Sequence, residues 1–560
     1  MTSAKLESTA EAYLALLKSR GIDWLFANAG TDFAPIIEAL VRGRKAGIPM
    51  PEAVPIAHET TAVAMAHGYY LVTGRPQAVM VHVNVGMANA LMGIINASRD
   101  QVPMLFASGR TPLTEQGLTG SRDLPIHWGQ EMFDQGSMLR EFVKWDYELR
   151  DGVQIESAVD RALSSAMSEP RGPAYLSLPR EVLAEPWKGG PLSGTATLKP
   201  ASMAYPDPAA IAEAAAILRD AERPLIIVGG NDASAFGALG AFADKTAIPV
   251  AHFWPRRLSI ATDHPLHAGF DVMPRIESAD AIVVLDVMVP WLPVRHKLAK
   301  GCRVIQIGPD PSFSRVPIRS FPGDVVIRSG VGAALAQLGE ALPKASAGLK
   351  KAVISELAGA RAKRAEANAS PPSGLSTNAW VSHCLDTYKG DDAIVLGELG
   401  CDPSAMTFKR ADSYFGHPIA GGLGWGVPAA LGVKLAMPDR LVIACVGDGS
   451  YMFANPVACH QTAAALKLPV LTVVFNNEVW NAVRKSTRAV YPRGHAAASN
   501  DMPLSSLSPS PAFEKVIEAC GGLGLRVETP AELEAAIQEA IAAVRGGRQA
   551  LLNVHCAIGT

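Results

Sequence analysis

The chain has 560 residues, 48% of them apolar, and its 51 basic and 53 acidic side chains leave a formal net charge of −2. That length exceeds what one hydrophobic core serves and predicts roughly three or four domains. Lys and Arg are scattered rather than blocked, which leaves no electrostatic footprint for nucleic acid or an anionic membrane, so a small-molecule substrate is expected.

In chain order, short β-branched runs recur as DWLFANAG, QAVMVHVNVG, VPMLFASG, PLIIVGG, AIVVLDV, CRVIQIG, AIVLGELG, LVIACVGDG and PVLTVVFNN, with Ala-rich amphipathic segments between them. This alternation is that of βαβ units and predicts an α/β fold of doubly wound parallel sheets. Two stretches read as linkers: the Pro/Gly/Thr-rich GGPLSGTATLKPASMAYPDP and the Ala/Lys-rich helical span ending in NASPPSGLS. They delimit three domains, 1–187, 205–345 and 372–560.

The seven cysteines, Cys302, Cys384, Cys401, Cys445, Cys459, Cys520 and Cys556, are odd in number and lack paired spacing, which predicts reduced thiols. The N-terminal MTSAKLESTAEAYLALLKSRG lacks the basic-then-apolar order of a secretory signal, and no apolar run approaches membrane-spanning length. A cytoplasmic location is expected.

In open α/β sheets, ligands meet the chain where strands end and helices begin. Gly447, Asp448, Gly449 and Ser450 close one predicted strand, and Asn476 and Asn477 close the next about 26 residues later, the span of one βαβ crossover. Right-handed crossover geometry sets the two ends side by side. The Asp448 carboxylate, an amide oxygen of Asn476 or Asn477 and a nearby backbone carbonyl such as that of Val479 supply the hard oxygens that octahedral Mg²⁺ prefers, with room left for phosphate oxygens. The glycines let backbone amides approach those phosphates. Taken alone, GDG also reads as a tight turn and NN as a strand cap.

The stretch VGDGSYMFANPVACHQTAAALKLPVLTVVFNNEVW resembles the diphosphate-and-magnesium motif of thiamine-diphosphate enzymes, which implies Asn477 rather than Asn476 as the metal ligand. VPIAHETTAVAMAHGYYLVTGRPQAVMVHVNVGMANALMGI resembles the pyrimidine-binding domain of the pyruvate decarboxylase and acetolactate synthase superfamily, with Asn89 on the cofactor side and Glu59 as the cofactor-activating glutamate. Such a carboxylate favours the imino tautomer of the aminopyrimidine, whose nitrogen takes the thiazolium proton to give the ylid. A lone glutamate in a helical pattern is otherwise a solvated one. PIAGGLGWGVPAALGVKLAMP resembles the segment that bends the cofactor. This implies Leu423 as the wedge and the Gly421 or Gly422 carbonyl as acceptor of the 4′-amino group.

Within the superfamily, GGLGWGVPAALGVKLAMP and REFVKWDYE look most like benzoylformate decarboxylase, where a catalytic histidine occupies the place of His82. The competing reading of VHVNV is a half-buried histidine on an alternating strand. The resemblance further implies Thr31 near a substrate carboxylate, and it puts Gln130 and His296 at possible substrate positions. Gln130 also reads as a surface-loop residue. The central region lacks the Arg/Asp-rich pattern by which acetolactate synthases hold FAD, so VGGNDASAFG reads as a structural turn and FAD is not expected. The segment 481–502 is expected to be a flexible cover. Its Arg484, Lys485, Arg488 and Arg493 either attract a carboxylate or coenzyme A phosphate or form a solvated face.

The expected activity is a thiamine-diphosphate lyase that decarboxylates a 2-oxo acid or cleaves a 2-hydroxy ketone through a ylid and an enamine. Acetolactate-synthase-like carboligation, lyase action on an acyl-CoA and a non-catalytic relative are the alternatives. The resemblance also implies a homodimer or homotetramer, with cofactor between the pyrimidine domain of one subunit and the diphosphate domain of another.

Overall fold

The computed structural model describes residues 5–230 and 232–559. The first four residues of the N-terminal reading, and Asn231 of the VGGNDASAFG turn, lie outside them. Three six-stranded sheets follow one another along the chain, and every strand pairing within them is parallel. The first comprises β1 (Trp24–Asn28), β2 (Glu52–Pro55), β3 (Ala78–Val81), β4 (Leu105–Arg110), β5 (Asp146–Glu148) and β6 (Ala174–Pro179). The second comprises β7 (Pro224–Val228), β8 (Val250–His252), β9 (His267–Gly269), β10 (Ala281–Leu285), β11 (Arg303–Gly308) and β12 (Val325–Arg328). The third comprises β13 (Ile394–Glu398), β14 (Tyr414–Gly416), β15 (Val442–Gly447), β16 (Leu471–Asn476), β17 (Leu523–Val527) and β18 (Ala550–His555).

Spatial order is β2-β1-β3-β4-β6-β5 in the first sheet, β12-β11-β10-β7-β8-β9 in the second and β14-β13-β15-β16-β18-β17 in the third. The inner strands are near-continuous apolar runs because both of their faces are covered, as parallel sheets require. In the middle sheet the alternation is explicit. Ile226, Val228, Val283, Leu285 and Ile305 enter one core, while Leu225, Ile227, Ile282, Val284 and Val304 enter the opposite one. The α/β, doubly wound expectation is thus met in all three sheets.

Contacts divide the chain into two compact units. One is Met1–Ser202 with Pro418–Asp439 and Phe453–Leu468; the other is Met203–His417 with Arg440–Met452 and Pro469–Thr560. Inside the first unit the helix Glu59–Thr73 crosses the helix Gly426–Ala436 at glycine contact. A Cβ on Gly68 would lie 2.0 Å from the Ala429 carbonyl oxygen, and one on Gly432 would lie 2.0 Å from that of Met65. Only hydrogen fits at either point, so the two backbones touch. Among the described residues no helix is long and apolar enough to cross a membrane. All seven cysteines are free thiols.

Candidate active site

In the first sheet, chain order reverses between β1 and β3, the switch point at which open α/β sheets leave a crevice. The loop after β1 carries Thr31 and Asp32, and the residue after β3 is His82. His82 is not a strand residue: β3 stops at Val81 and His82 caps the helix Val83–Arg99. The alternation in VHVNV breaks because Val83 takes φ +22°, a conformation a β-branched residue rarely adopts.

Glu59 opens the helix Glu59–Thr73 behind the N-cap His58, whose Nδ1 accepts the Thr60 N–H at 3.3 Å. It is 8% exposed, so the solvated alternative does not hold. Its Oε2 accepts from Asn89 Nδ2 at 3.2 Å, and a Cβ on Gly86 would stand 3.2 Å from its Oε1. His82, Gly86 and Asn89 all lie on the first turns of the same helix, which thereby sets the spacing between the two candidate proton carriers.

Around His82 the first unit assembles a polar cluster. Its Nδ1 meets Asp32 Oδ1 at 2.5 Å, and Gln130 Nε2 meets its Nε2 at 3.1 Å. Gln130, at the C-cap of the short helix Ile126–Gly129, is therefore not a free surface residue; its buried Oε1 has no hydrogen-bond partner. Thr31 Oγ1 lies 3.3 Å from His127 Nε2. His127 Nδ1 lies 3.3 Å from both the Asp123 N–H and the Asp123 carboxylate Oδ1, so the direction of the Thr31–His127 contact follows the tautomer of the ring. Burial first, and the nearby Arg180 guanidinium second, push His127 below the usual histidine range. Asp32 and His127 were not singled out from the sequence, although both sit inside the motifs NAGTD and HWGQEMF. Adjacency to Thr31 was the available signal for Asp32.

The segment 418–439 brings Gly421, Gly422 and Leu423 into the first unit. The Asn96 carboxamide accepts the Gly422 N–H at 3.1 Å and donates to the Gly422 carbonyl at 2.8 Å. With Gly422 occupied in both directions, Gly421, turned by φ +71°, is the more available carbonyl.

The second half of the constellation lies in the second unit. The third sheet reverses between β13 and β15, and Gly447 ends β15 there, with Asp448 opening the helix Asp448–Phe453. Asp448 is 5% exposed; its Oδ1 accepts the Gly449 N–H at 2.8 Å and its Oδ2 the Glu478 N–H at 2.7 Å. Burial pushes this carboxyl above the usual aspartate range, against the pull of those amide donors. Ser450 is buried, and a Cβ on Gly449 would strike the Trp480 ring at 2.1 Å.

The two asparagines part company. Asn476 is buried and donates to Ser510 Oγ and Asn553 Oδ1, at 2.9 and 3.0 Å, which makes it a structural tie. Asn477 is half-buried, and its Oδ1 accepts only the local Val479 N–H, at 3.1 Å. Asp448, Asn477 and the Val479 carbonyl are hard oxygens with lone pairs to spare, a donor set suited to Mg²⁺ that also carries diphosphate oxygens. Among the described residues no three His, Cys, Asp or Glu side chains gather as a metal cage, so a cation here would draw on amide and carbonyl oxygens. A buried Glu59 with one oxygen free and this oxygen set both fit thiamine diphosphate with its metal.

His296 is buried edge-on to Phe253, and its Nδ1 accepts the Leu292 N–H at 3.0 Å. The segment 481–502 forms the helices Asn481–Val490 and His495–Ser499. Arg484 and Arg488 both donate to Asn500 Oδ1, at 2.6 and 2.8 Å, so they serve the segment's own fold, while Lys485 and Arg493 are exposed.

Three sequence profiles match the chain: the N-terminal TPP binding domain of thiamine pyrophosphate enzymes over residues 7–138, their central domain over 211–338 and their C-terminal TPP binding domain over 399–554. The chain belongs to the thiamine pyrophosphate enzymes, the decarboxylase and acetolactate-synthase-like group. It is 26% identical over 558 residues to benzoylformate decarboxylase of Pseudomonas aeruginosa, covering 96% of this chain and 98% of the relative. It is 25% identical over 565 residues to the acetolactate synthase large subunit of Parasynechococcus marenigrum, covering 98% and 87%. The crystal structure of benzoylformate decarboxylase from Polynucleobacter necessarius shares the fold, with a TM-score of 0.81 and 22% identity over 99% of both chains.

Proposed function

We propose that the chain is a thiamine-diphosphate-dependent carbon–carbon lyase that decarboxylates a 2-oxo acid or cleaves a 2-hydroxy ketone. The observation that carries this reading is a buried Glu59 held by Asn89, a residue of the helix that His82 caps. When bound, thiamine diphosphate supplies a nucleophilic carbon and an electron sink beside the substrate carbonyl. Glu59 uses Oε2 to take the Asn89 hydrogen bond and keeps Oε1 to carry a proton. His82 Nε2 gives or takes a proton at the substrate carbon. Thr31, positioned by its contact with His127 Nε2, offers its hydroxyl to a substrate carboxylate. Asp448, Asn477 and the Val479 carbonyl would hold the metal, Gly447, Gly449 and Ser450 would line the diphosphate, and Gly421 and Leu423 would shape the pyrimidine end. The two half-sites are completed across a subunit interface in a homodimer or homotetramer.

A screen of aliphatic and aromatic 2-oxo acids, with and without an acceptor aldehyde, tests this. Carbon dioxide and free aldehyde are the expected products. The second reading, favoured by the acetolactate synthase likeness, is carboligation, and acetolactate from pyruvate would establish it instead. Glu59→Gln is expected to cut turnover by about 10³-fold or more with cofactor still bound. Undiminished turnover in that variant rejects both readings.

A further inference from the structure

We infer that Asp32 is the positioning residue of this site: it fixes His82 with the proton on Nδ1 and so keeps Nε2 as the atom that exchanges protons with substrate. The inference rests on the reading of His82 given above. Asp32 is 2% exposed, and among the described residues His82 is the one basic group paired with it, at 2.5 Å. A buried carboxylate needs such a partner, because its desolvation cost is otherwise uncompensated. The second oxygen is also committed, accepting the Val83 N–H at 3.3 Å. One carboxylate thus grips both the imidazole and the amide that follows it, and it holds Val83 at φ +22°.

The surroundings are cut to admit this grip. A Cβ on Gly109 would lie 1.6 Å from Asp32 Oδ2, and one on Gly30 would lie 2.0 Å from His82 Nδ1. From the opposite side the Gln130 carboxamide lies 3.1 Å from His82 Nε2, and with the Nδ1 proton committed to Asp32 that nitrogen is left to accept from the carboxamide N–H. Substrate that displaces Gln130 meets a lone pair already aimed. The carboxylate behind the far nitrogen also fixes the plane of the ring, so that Nε2 points the same way in every turnover.

Asp32→Asn keeps the volume and an acceptor for the Val83 N–H but loses the charge. It is expected to lower kcat about 10- to 100-fold with KM changed by less than about threefold. The double variant Asp32→Asn/His82→Gln should be no slower than His82→Gln alone, since a positioning residue has nothing left to position. In cofactor-free protein, diethyl pyrocarbonate should label His82 about fivefold more slowly in Asp32→Asn, read by peptide mass spectrometry, as an Nε2 no longer held unprotonated requires. Asp32→Ser repeats these measurements should Asp32→Asn fail to fold.

Losses that multiply in the double variant, or His82 labelling that is unchanged or faster, overturn the inference, because loosened packing gives that pattern. Impaired His82→Gln beside unimpaired Asp32→Asn overturns it alone. Full activity in His82→Gln removes the reading of His82 and the inference with it.

Discussion

The first and third sheets run their strands in the same order, with the edge strand second in sequence and the reversal between first and third, yet they load that reversal differently. At the first, the loops present the groups proposed to move protons: Glu59 after β2, His82 after β3 and Asp32 behind it. At the third, they present fixed acceptors and amides: Asp448, Asn477, the Val479 carbonyl and the glycine turn. A shared scaffold therefore specifies where a ligand lies, while the side chains after each strand decide whether that end binds or reacts.

The sharpest way to break this division is to exchange the symptoms. Asp448→Ala is expected to weaken thiamine diphosphate binding by about 100-fold or more, and chelating the divalent cation should do the same to the intact protein, followed by calorimetry of cofactor-free enzyme. Glu59→Gln should leave that affinity nearly unchanged. If both variants lose cofactor equally, the division into a binding end and a reacting end is wrong.

A smaller effect tests the crowding behind His82. Gly109→Ala must push Asp32 aside, and destabilisation of about 1–3 kcal/mol is expected in urea titrations, with turnover reduced as well.

The smallest effect belongs to the middle sheet, whose order differs and whose histidines are internal. Ser259 N–H donates to His252 Nε2, His252 Nδ1 donates to His267 Nε2, and His267 Nδ1 donates to the Thr262 carbonyl, each at 3.0 Å. The chain of bonds needs both rings neutral. Burial pushes His267 down to about 4 and His252 well below its usual value. With folded values below the unfolded 6.5, the unfolded chain takes up protons first as pH falls. Stability is then full well above pH 6.5 and declines toward pH 4, with His267 alone contributing about 1–2 kcal/mol of the loss between pH 6.5 and 5. Thermal midpoints across that range check it, and His267→Gln should flatten the slope.

Much of this was legible in the residue order, for definable reasons. Alternating apolar runs announce parallel sheets because both faces of each strand are buried, and GDG with NN announce a crossover because their spacing matches one. His82 was legible as a candidate but not as a helix cap, since VHVNV alternates like a strand and only the distant Asp32 ends it. Asp32 itself escaped notice because a single acid after Thr31 has no periodic signature; its meaning comes from Gly109, Gly30 and His82 in space. The basic residues of 481–502 could not be sorted from the sequence. Arg484 and Arg488 look available for an anion, but one amide oxygen, that of Asn500, employs both.

The glycine-faced helix crossing has a consequence for biosynthesis. The helix Glu59–Thr73 leaves the ribosome early, but the surface that covers Gly68 and Met65 belongs to 418–439, and Asn96 and Asp100 wait for the backbone of Gly422 and Ile419. Through most of translation the nascent chain therefore carries an uncovered helix face, and the first unit to be synthesised is among the last to close.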